Sequence, residues 1–138
     1  MDDKLQAKLI KKFPKILKAK KKNMSPFSAY GVECDDGWYD MIFNLCTELQ
    51  TLCDSNGTQV IALQIKEKFA TLRFYMSIGD GATDAQYKAT NEIIKKYEDM
   101  SSKTCEVTGN VGCLYKRGFW VKTLCAESAI LLGYKLAK

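Results

Sequence analysis

The chain has 138 residues, with 21 lysines and arginines against 16 acidic residues, six cysteines and no histidine. One domain of this length can bury a core, and a composition that is 46% apolar and 27% charged is typical of a globular protein. The missing histidine excludes Ser-His-Asp and Cys-His catalysis, histidine proton shuttles and histidine metal ligands.

Positive charge is concentrated in the first 22 residues. This segment contains nine lysines and two acidic residues, a net charge of +7, which leaves −2 for the other 116 residues. A helix is predicted over residues 3–22, because Leu5, Leu9 and Phe13 repeat at helical spacing, and Pro14 is expected to end one helix or begin the next. We interpret residues 1–22 as a basic helical arm that contacts an anionic partner, with a solvated helix face as the alternative.

The sequence shows no sign of secretion or of membrane insertion. Lysines separate the first apolar residues, so no signal peptide is visible, and no apolar run approaches the roughly 18 residues that span a membrane. We therefore expect a cytoplasmic protein, the host cytosol if it is phage-encoded, whose thiols stay reduced. The six cysteines are then core thiols or former metal ligands rather than a disulfide framework.

The strongest helical pattern follows a predicted loop at residues 23–37. We expect Asp35 or Asp36 to cap this helix and Asn56 with Gly57 to end it. Its predicted apolar stripe consists of Trp38, Met41, Ile42, Leu45, Cys46, Leu49, Leu52 and Cys53.

A pair of strands is predicted next, over residues 60–66 and 71–76, with a short connection that suits an antiparallel hairpin. Alternation assigns one face to Ile61, Leu63 and Ile65 on the first strand and to Leu72, Phe74 and Met76 on the second. It assigns the opposite face to Gln64, Lys66, Arg73 and Tyr75.

The remaining elements complete an α+β prediction. Thr83 and Gln86 have the spacing of a capping box, which begins another helix. A tight knuckle, a second hairpin and the start of a short apolar helix are expected over residues 104–128. We predict helices packed on a small antiparallel sheet, with residues 23–138 as one domain and a degenerate treble-clef-like zinc knuckle near its C-terminal end.

The knuckle prediction depends on four positions. A treble-clef zinc site takes two ligands from a knuckle and two from the first turn of a helix. Cys105 and Cys125 occupy one position of each pair, whereas the neutral hydroxyls of Thr108 and Ser128 occupy the others and are poor zinc ligands. We predict a site without a cofactor, in which Cys105 and Cys125 lie close enough to cross-link. A zinc ion held by Cys105, Cys113 and Cys125 is the alternative.

Three stretches resemble an uncharacterised family of small proteins from phages, prophages and bacteria. They are residues 31–39, 64–75 and 104–125, and the corresponding family motifs are C-G-D-G-W, K-E-K-F-G-G-L-R-F-Y and C-x-x-C…C-x-x-[HC]. The resemblance implies a phage or mobile-element setting and supplies no mechanism. The chain departs from the motifs at Asp35, Ala70, Thr71, Thr108 and Ser128.

We predict a non-enzymatic binding protein. Without histidine, a convincing carboxylate pair or an intact metal site, the chain offers no recognisable catalytic set. The phage setting favours an inhibitor that binds a host protein or ribonucleoprotein complex, such as a CRISPR-like defence complex. A module that binds RNA or DNA directly is the alternative, and a small structural zinc protein is a weaker one.

The candidate contacts are basic and aromatic side chains, because the former bind phosphates and the latter stack on bases. In the arm they are Lys11, Lys12, Lys15, Lys18, Lys20, Lys21 and Lys22. In the hairpins they are Lys66, Lys68, Arg73, Tyr75, Lys116, Arg117 and Trp120, with Phe119 in the same cluster as Trp120. Alternatively, these long side chains only cover apolar surface.

Overall fold

The computed structural model of the protein describes residues 1–18 and 25–137, so Lys20, Lys21 and Lys22 lie outside the described residues. A short 3₁₀ turn covers Asp36–Trp38. The helices are α1 (Asp3–Lys12), α2 (Pro26–Tyr30), α3 (Tyr39–Asn56), α4 (Asp84–Ser101) and α5 (Ala126–Leu132). The strands are β1 (Val32–Glu33), β2 (Val60–Lys68), β3 (Thr71–Ile78), β4 (Cys113–Arg117), β5 (Trp120–Leu124) and β6 (Lys135–Leu136).

The strands form two small sheets, which confirms the α+β class. In the first sheet, β2 and β3 form the predicted antiparallel hairpin and β1 pairs parallel to β2. In the second sheet, β4 lies between β5 and β6 and both pairings are antiparallel. The expectation of a single antiparallel sheet was therefore wrong on two points, the number of sheets and the parallel β1.

The predicted stripe of α3 lies in the main core except for Leu52, which is half-buried and lies outside that core. Trp38, Ile42, Leu45 and Leu49 are fully buried, and the helix ends at Gly57, whose φ of +75° suits glycine. Neither Asp35 nor Asp36 caps α3 with its side chain, so the predicted aspartate cap was wrong. Asp35 precedes the 3₁₀ turn without a side-chain cap, and Asp36 Oδ1 instead accepts a hydrogen bond from the amide of Asp2 at 2.7 Å.

The N-terminal segment packs into this main core. The helix α1 ends at Lys12, Phe13 forms its C-cap, and a turn follows, so the prediction of a helix over residues 3–22 was too long. The physical reason is Pro14, which cannot continue a helix. The carbonyl of Ile16 then accepts a hydrogen bond from the amide of Ala62 in β2. The side chains of this segment that are buried in the main core are Leu9, Phe13, Ile16 and Leu17.

A β-bulge changes which face of β2 is buried. The register with β3 shifts between Ala62 and Gln64, so Leu63 is an extra residue and the alternation reverses there. As a result Leu63 is exposed and Ile65 is buried, so the prediction that Ile61, Leu63 and Ile65 share one face was wrong. The buried residues of this strand are Val60, Ala62 and Ile65.

The region predicted as a loop at residues 23–37 contains α2 and β1. Ser25 caps α2, accepting a hydrogen bond from the amide of Ser28 at 3.2 Å, and a proline occupies the first turn. The helix ends at Gly31, which has a φ of +67°. A loop prediction was wrong here because both elements are too short to show a hydrophobic period.

Helix α4 protects the outer edge of β3. The amide of Leu72 donates to Ser101 Oγ at 2.8 Å, and the amide of Phe74 donates to Glu98 Oε2 at 3.0 Å. These side chains satisfy strand amides that would otherwise lie unpaired at a sheet edge. At the other end of α4, Thr83 and Gln86 form the predicted capping box.

The segment before α3 joins the main core to residues 104–137, which contain β4, β5, α5 and β6 and which we call the C-terminal unit. The amide of Gly37 donates to the carbonyl of Glu106 at 2.8 Å, and Trp38 Nε1 donates to the carbonyl of Thr104 at 2.9 Å. A second, smaller core lies on the far side of this joint. It consists of Cys105, Leu124, Ala129 and Tyr134.

We expect Gly37→Ala to weaken this joint. A methyl group at position 37 would lie 2.4 Å from the carbonyl oxygen of Cys105, so the two backbones must separate. The free energy of unfolding, measured by urea denaturation, should fall by about 2–3 kcal/mol. In the control, Gly79→Ala, the nearest atom to the new methyl group is 4.0 Å away, and the change should stay below about 1 kcal/mol. Equal effects of both substitutions would contradict the role of this joint.

Candidate functional site

The tip of the β2–β3 hairpin lies against the second hairpin, and a cavity of about 370 Å³ lies between the two hairpins. The hydroxyl of Thr123 in β5 donates to the carbonyl of Ala70 at 2.8 Å, and this contact is buried. It fixes the tip of the β2–β3 hairpin against the second sheet. We call the residues around the cavity the hairpin-tip surface, and define it as Lys68, Phe69, Phe119, Trp120, Lys122 and Tyr134.

Three aromatic side chains of the hairpin-tip surface face solvent. Phe69 is 71% exposed, Trp120 is 72% exposed and Phe119 is fully exposed. A single exposed apolar residue is ordinary, but a cluster of large rings around a cavity is the type of patch that binds a partner or ligand. The sequence prediction included Trp120 and Lys68, and named Phe119 beside Trp120. It missed Phe69, Lys122 and Tyr134.

The backbone that presents Phe69 is unusual. Phe69 has a φ of +51° and Ala70 a φ of +70°, although neither is glycine. Two-residue hairpin turns of this shape strongly favour Asn-Gly, because the left-handed conformation costs other residues about 1–2 kcal/mol each. The amide of Ala70 donates to Glu67 Oε2 at 2.8 Å, which helps to hold the turn.

Two of the predicted basic residues contact aromatic rings at this surface. Lys68 Nζ lies 5.6 Å from the ring centroid of Phe69. Arg117 Cζ lies 4.7 Å from the ring centroid of Tyr134, and its Nη1 donates to the carbonyl of Leu132 at 2.8 Å. Both contacts have cation–π geometry. Arg117 therefore secures the end of α5 as well as facing the hairpin tip.

Lys122 links the hairpin-tip surface to the joint between the two cores. Its ammonium lies 3.0 Å from Glu106 Oε1 and 3.8 Å from Asp35 Oδ2. Burial lowers the pKa of Lys122, but the negative charges of Glu106, Asp35 and Glu67 outweigh that effect, so the pKa is raised. Burial also raises the pKa of Glu106, more than Lys122 and the amide of Asp35 lower it.

The predicted basic face of the first sheet exists. Lys66 lies opposite Arg73 in the strand register. Lys68 follows Lys66 by two residues on β2, and Tyr75 follows Arg73 by two residues on β3, so all four side chains share one face of the sheet. Tyr75 is exposed. Arg73 Nε is buried and has no hydrogen-bond partner among the described residues. This face continues to the hairpin-tip surface through Lys68.

Other predicted contacts lie elsewhere. Lys116 is exposed on β4, opposite Val121 of β5 and Lys135 of β6. Lys11 and Lys12 are in the last turn of α1. Lys15 follows α1 and is exposed, and Lys18 is half-buried. None of these five side chains lines the cavity between the hairpin tips.

The four positions of the predicted knuckle come together. Ser128 Oγ lies 3.7 Å from Cys105 Sγ and 3.3 Å from Cys125 Sγ, and Thr108 Oγ1 lies 3.6 Å from Cys125 Sγ. We call these four residues the thiol–hydroxyl cluster. Within residues 1–18 and 25–137, no three cysteine or acidic side chains are grouped as metal ligands. Cys113 is exposed on β4.

Hydrogen bonds to Cys105 stabilise its thiolate. Burial raises the pKa of the Cys105 thiol, but donors outweigh it and lower the pKa to about 6. The donors are the hydroxyl and amide of Thr108, the amide of Cys125 and the hydroxyl of Ser128. By contrast, burial raises the pKa of Cys46 in the main core to about 12.

Comparison of the chain with models of known families, with curated proteins and with solved structures found no match. The resemblance to the phage family therefore stays a prediction. Of the helices in the described part of the chain, none combines the length and apolar character that crossing a bilayer requires.

The depressed pKa of Cys105 predicts a pH-dependent stability. Its folded pKa of about 6 lies below the ordinary thiol value, so the contribution is complete above the unfolded pKa and is lost as pH falls towards 6. The stability lost in Cys105→Ala should be about 1–2 kcal/mol larger near pH 8 than near pH 6. Urea denaturation under reducing conditions measures this difference.

Cys46→Ala is the control, because a thiol with a pKa near 12 stays protonated over that range. Its stability loss should be the same at both pH values. If Cys105→Ala also showed a constant loss, the thiolate would not be stabilised in the folded chain.

Proposed function

We propose that this chain is a non-enzymatic binding protein of phage or mobile-element type. It docks its hairpin-tip surface onto a protein or ribonucleoprotein complex in the host cytoplasm and thereby inhibits a machine that handles nucleic acid, such as a CRISPR-like defence complex. The observation that carries this proposal is the exposed phenylalanine at position 69, held in a left-handed backbone conformation.

Phe69 is unfavourable for the folded chain in two ways. Its φ of +51° strains the backbone, and its ring remains mostly in solvent. Asparagine or glycine at this position would remove both penalties. A role in binding explains why a phenylalanine stands there, because stability is commonly traded for function at binding sites.

The neighbouring residues suit a protein partner. Aromatic side chains dominate the binding energy of most protein interfaces, especially at the centre of the contact. Phe119 and Trp120 flank the same cavity as Phe69, and the cavity has room for a partner's side chain. Because Thr123 anchors the tip through Ala70, little ordering is required on binding.

Direct binding of RNA or DNA is a second candidate, favoured by one observation. Lys66, Lys68, Arg73 and Tyr75 share one face of the first sheet, which leads to the rings of the hairpin-tip surface. Basic groups beside exposed rings suit single-stranded nucleic acid, whose phosphates and bases they contact. Such binding would weaken linearly with the logarithm of salt concentration.

We further propose that the thiol–hydroxyl cluster is a metal-free form of a treble-clef zinc knuckle. Contacts between the sulfurs of Cys105 and Cys125 and the hydroxyls of Thr108 and Ser128 take the place of metal–ligand bonds. In the weaker alternative, zinc bound by Cys105, Cys113 and Cys125 supports the structure.

Substitutions in the hairpin-tip surface should abolish partner capture. In pull-downs from host lysate, Trp120→Ala and Phe69→Asn should each lose a discrete protein band that the wild type retains after nuclease treatment. Phe69→Asn should also raise the free energy of unfolding by about 0.5–1 kcal/mol, because asparagine tolerates a positive φ. A gain in stability shows that binding was not lost through unfolding.

The matched control is Tyr30→Ser, since Tyr30 is also 72% exposed and lies outside the hairpin-tip surface. It should capture the partner as the wild type does. A band that disappears with nuclease, together with oligonucleotide binding that depends steeply on salt, would favour the nucleic-acid candidate. Capture that survives Trp120→Ala and Phe69→Asn would rule out docking through this surface.

The knuckle proposal predicts the metal content of the chain and of a variant. Protein purified without chelator should contain almost no zinc. The double variant Thr108→Cys with Ser128→Cys should bind one zinc ion per chain and unfold at a higher temperature, because it supplies four thiolates. Thr108→Cys alone, the control, should bind zinc more weakly. Stoichiometric zinc in the wild type, lost in Cys113→Ser, would support the three-cysteine alternative instead.

A further inference from the structure

Two thiols, those of Cys105 and Cys125, lie within the thiol–hydroxyl cluster. Cys105 Sγ and Cys125 Sγ both contact the same atom, Ser128 Oγ, at 3.7 and 3.3 Å. The amide of Cys125 itself donates to Cys105 Sγ. The two side chains therefore approach each other from adjoining backbone segments, and a rotation of Cys125 about its Cα–Cβ bond changes the separation of the sulfurs.

The two thiols differ in their access to solvent. Cys105 is completely buried, whereas Cys125 is partly exposed at the position that precedes α5. A small oxidant in solution can therefore reach the sulfur of Cys125, whereas the sulfur of Cys105 is shielded from solvent. This division resembles that of a redox pair, in which one cysteine is oxidised and a neighbour resolves the product.

We propose that Cys105 and Cys125 form a reversible disulfide when a peroxide oxidises this protein. In the first step the sulfur of Cys125 attacks one oxygen of the peroxide, an S–O bond forms and the O–O bond breaks. Cys125 becomes a sulfenic acid, and the other oxygen of the peroxide takes the thiol proton and leaves as water or an alcohol. In the second step the sulfur of Cys105 attacks the sulfur of Cys125. The S–S bond forms, the S–O bond breaks, and the hydroxyl group leaves as water with a proton that comes from the Cys105 thiol or, where Cys105 is a thiolate, from solvent. The peroxide accepts the two electrons.

The other cysteines are placed less well for such a pair. Cys46 and Cys53 are buried on α3 and lie seven residues apart, about 10 Å along a helix, which exceeds the reach of a disulfide. Cys34 is buried in the main core. Cys113 is exposed on β4, where its register partner is Leu124. Because its thiol is accessible, Cys113 could form a disulfide in place of Cys105 or Cys125, and the experiment must remove it.

The test is peptide mapping of the full chain after treatment with hydrogen peroxide. Trypsin leaves Cys105 and Cys113 in one peptide, residues 104–116, and Cys125 in another, residues 123–135. The Cys113→Ser variant makes the assignment unambiguous. Without reduction, its map should contain the two peptides joined, with the loss of two hydrogen atoms, and dithiothreitol should separate them again.

Two further measurements decide between the outcomes. Oxidation should raise the melting temperature of Cys113→Ser by at least about 5 °C, because the bond closes a loop across the second hairpin, and the double variant Cys113→Ser with Cys125→Ser should show no shift. A Cys125 that proceeds to sulfinic acid without cross-linking would overturn the proposal. So would thiols that peroxide leaves unmodified, or a bound zinc ion that protects both sulfurs.

Discussion

The structure depends on one buried carboxylate, Glu106. Removing a charged carboxylate from water is costly, and the charge is tolerated only when it is paired and hydrogen-bonded. Lys122 supplies the opposite charge from β5, and the amide of Asp35 donates to Glu106 Oε2 at 3.0 Å from the segment before α3. The amide of Gly37 donates to the carbonyl of the same residue. Lys122 belongs to β5, whereas Asp35 and Gly37 belong to the segment before α3. The contacts of Glu106 with both parts of the chain therefore fix the position of the C-terminal unit against the main core.

The hairpin-tip surface follows from this arrangement. Lys122, whose ammonium is held by Glu106, also lines the cavity, and the next residue, Thr123, donates to the carbonyl of Ala70. The ion pair thus determines where β5 lies, and β5 in turn holds the strained tip that carries Phe69. The strain at Phe69 is sustained because contacts on both sides of the turn over-determine its backbone. A feature that is costly by itself is therefore supported by interactions made elsewhere, as expected of a binding site.

The sequence predicted those parts of the fold that repeat with a regular period. The stripe of α3 apart from Leu52, the capping box at Thr83 and the two hairpins were predicted correctly, because each rests on local patterns of apolar and polar residues. The bulge at Leu63 was missed, since nothing in the alternation reveals an extra residue. Phe69 was missed for a related reason: Phe-Ala lacks the Asn-Gly signal of a tight turn, and only the paired strands impose a positive φ there. The joint at Glu106 brings together residues about 70 positions apart, which no local pattern encodes.

The C-terminal unit buries few apolar side chains that could stabilise it by themselves. Its core consists of four buried residues, while Ile130 and Leu131 of α5 remain exposed together with Phe119 and Trp120. Small units of this kind usually require a metal or disulfides, because their apolar core is insufficient. In this unit the contacts of the thiol–hydroxyl cluster and the ion pair of Glu106 add fixed geometry to that small core. The proposed docking of this surface would account for a unit that presents large apolar side chains to solvent while burying so few, because the exposed rings would complete their burial against the partner.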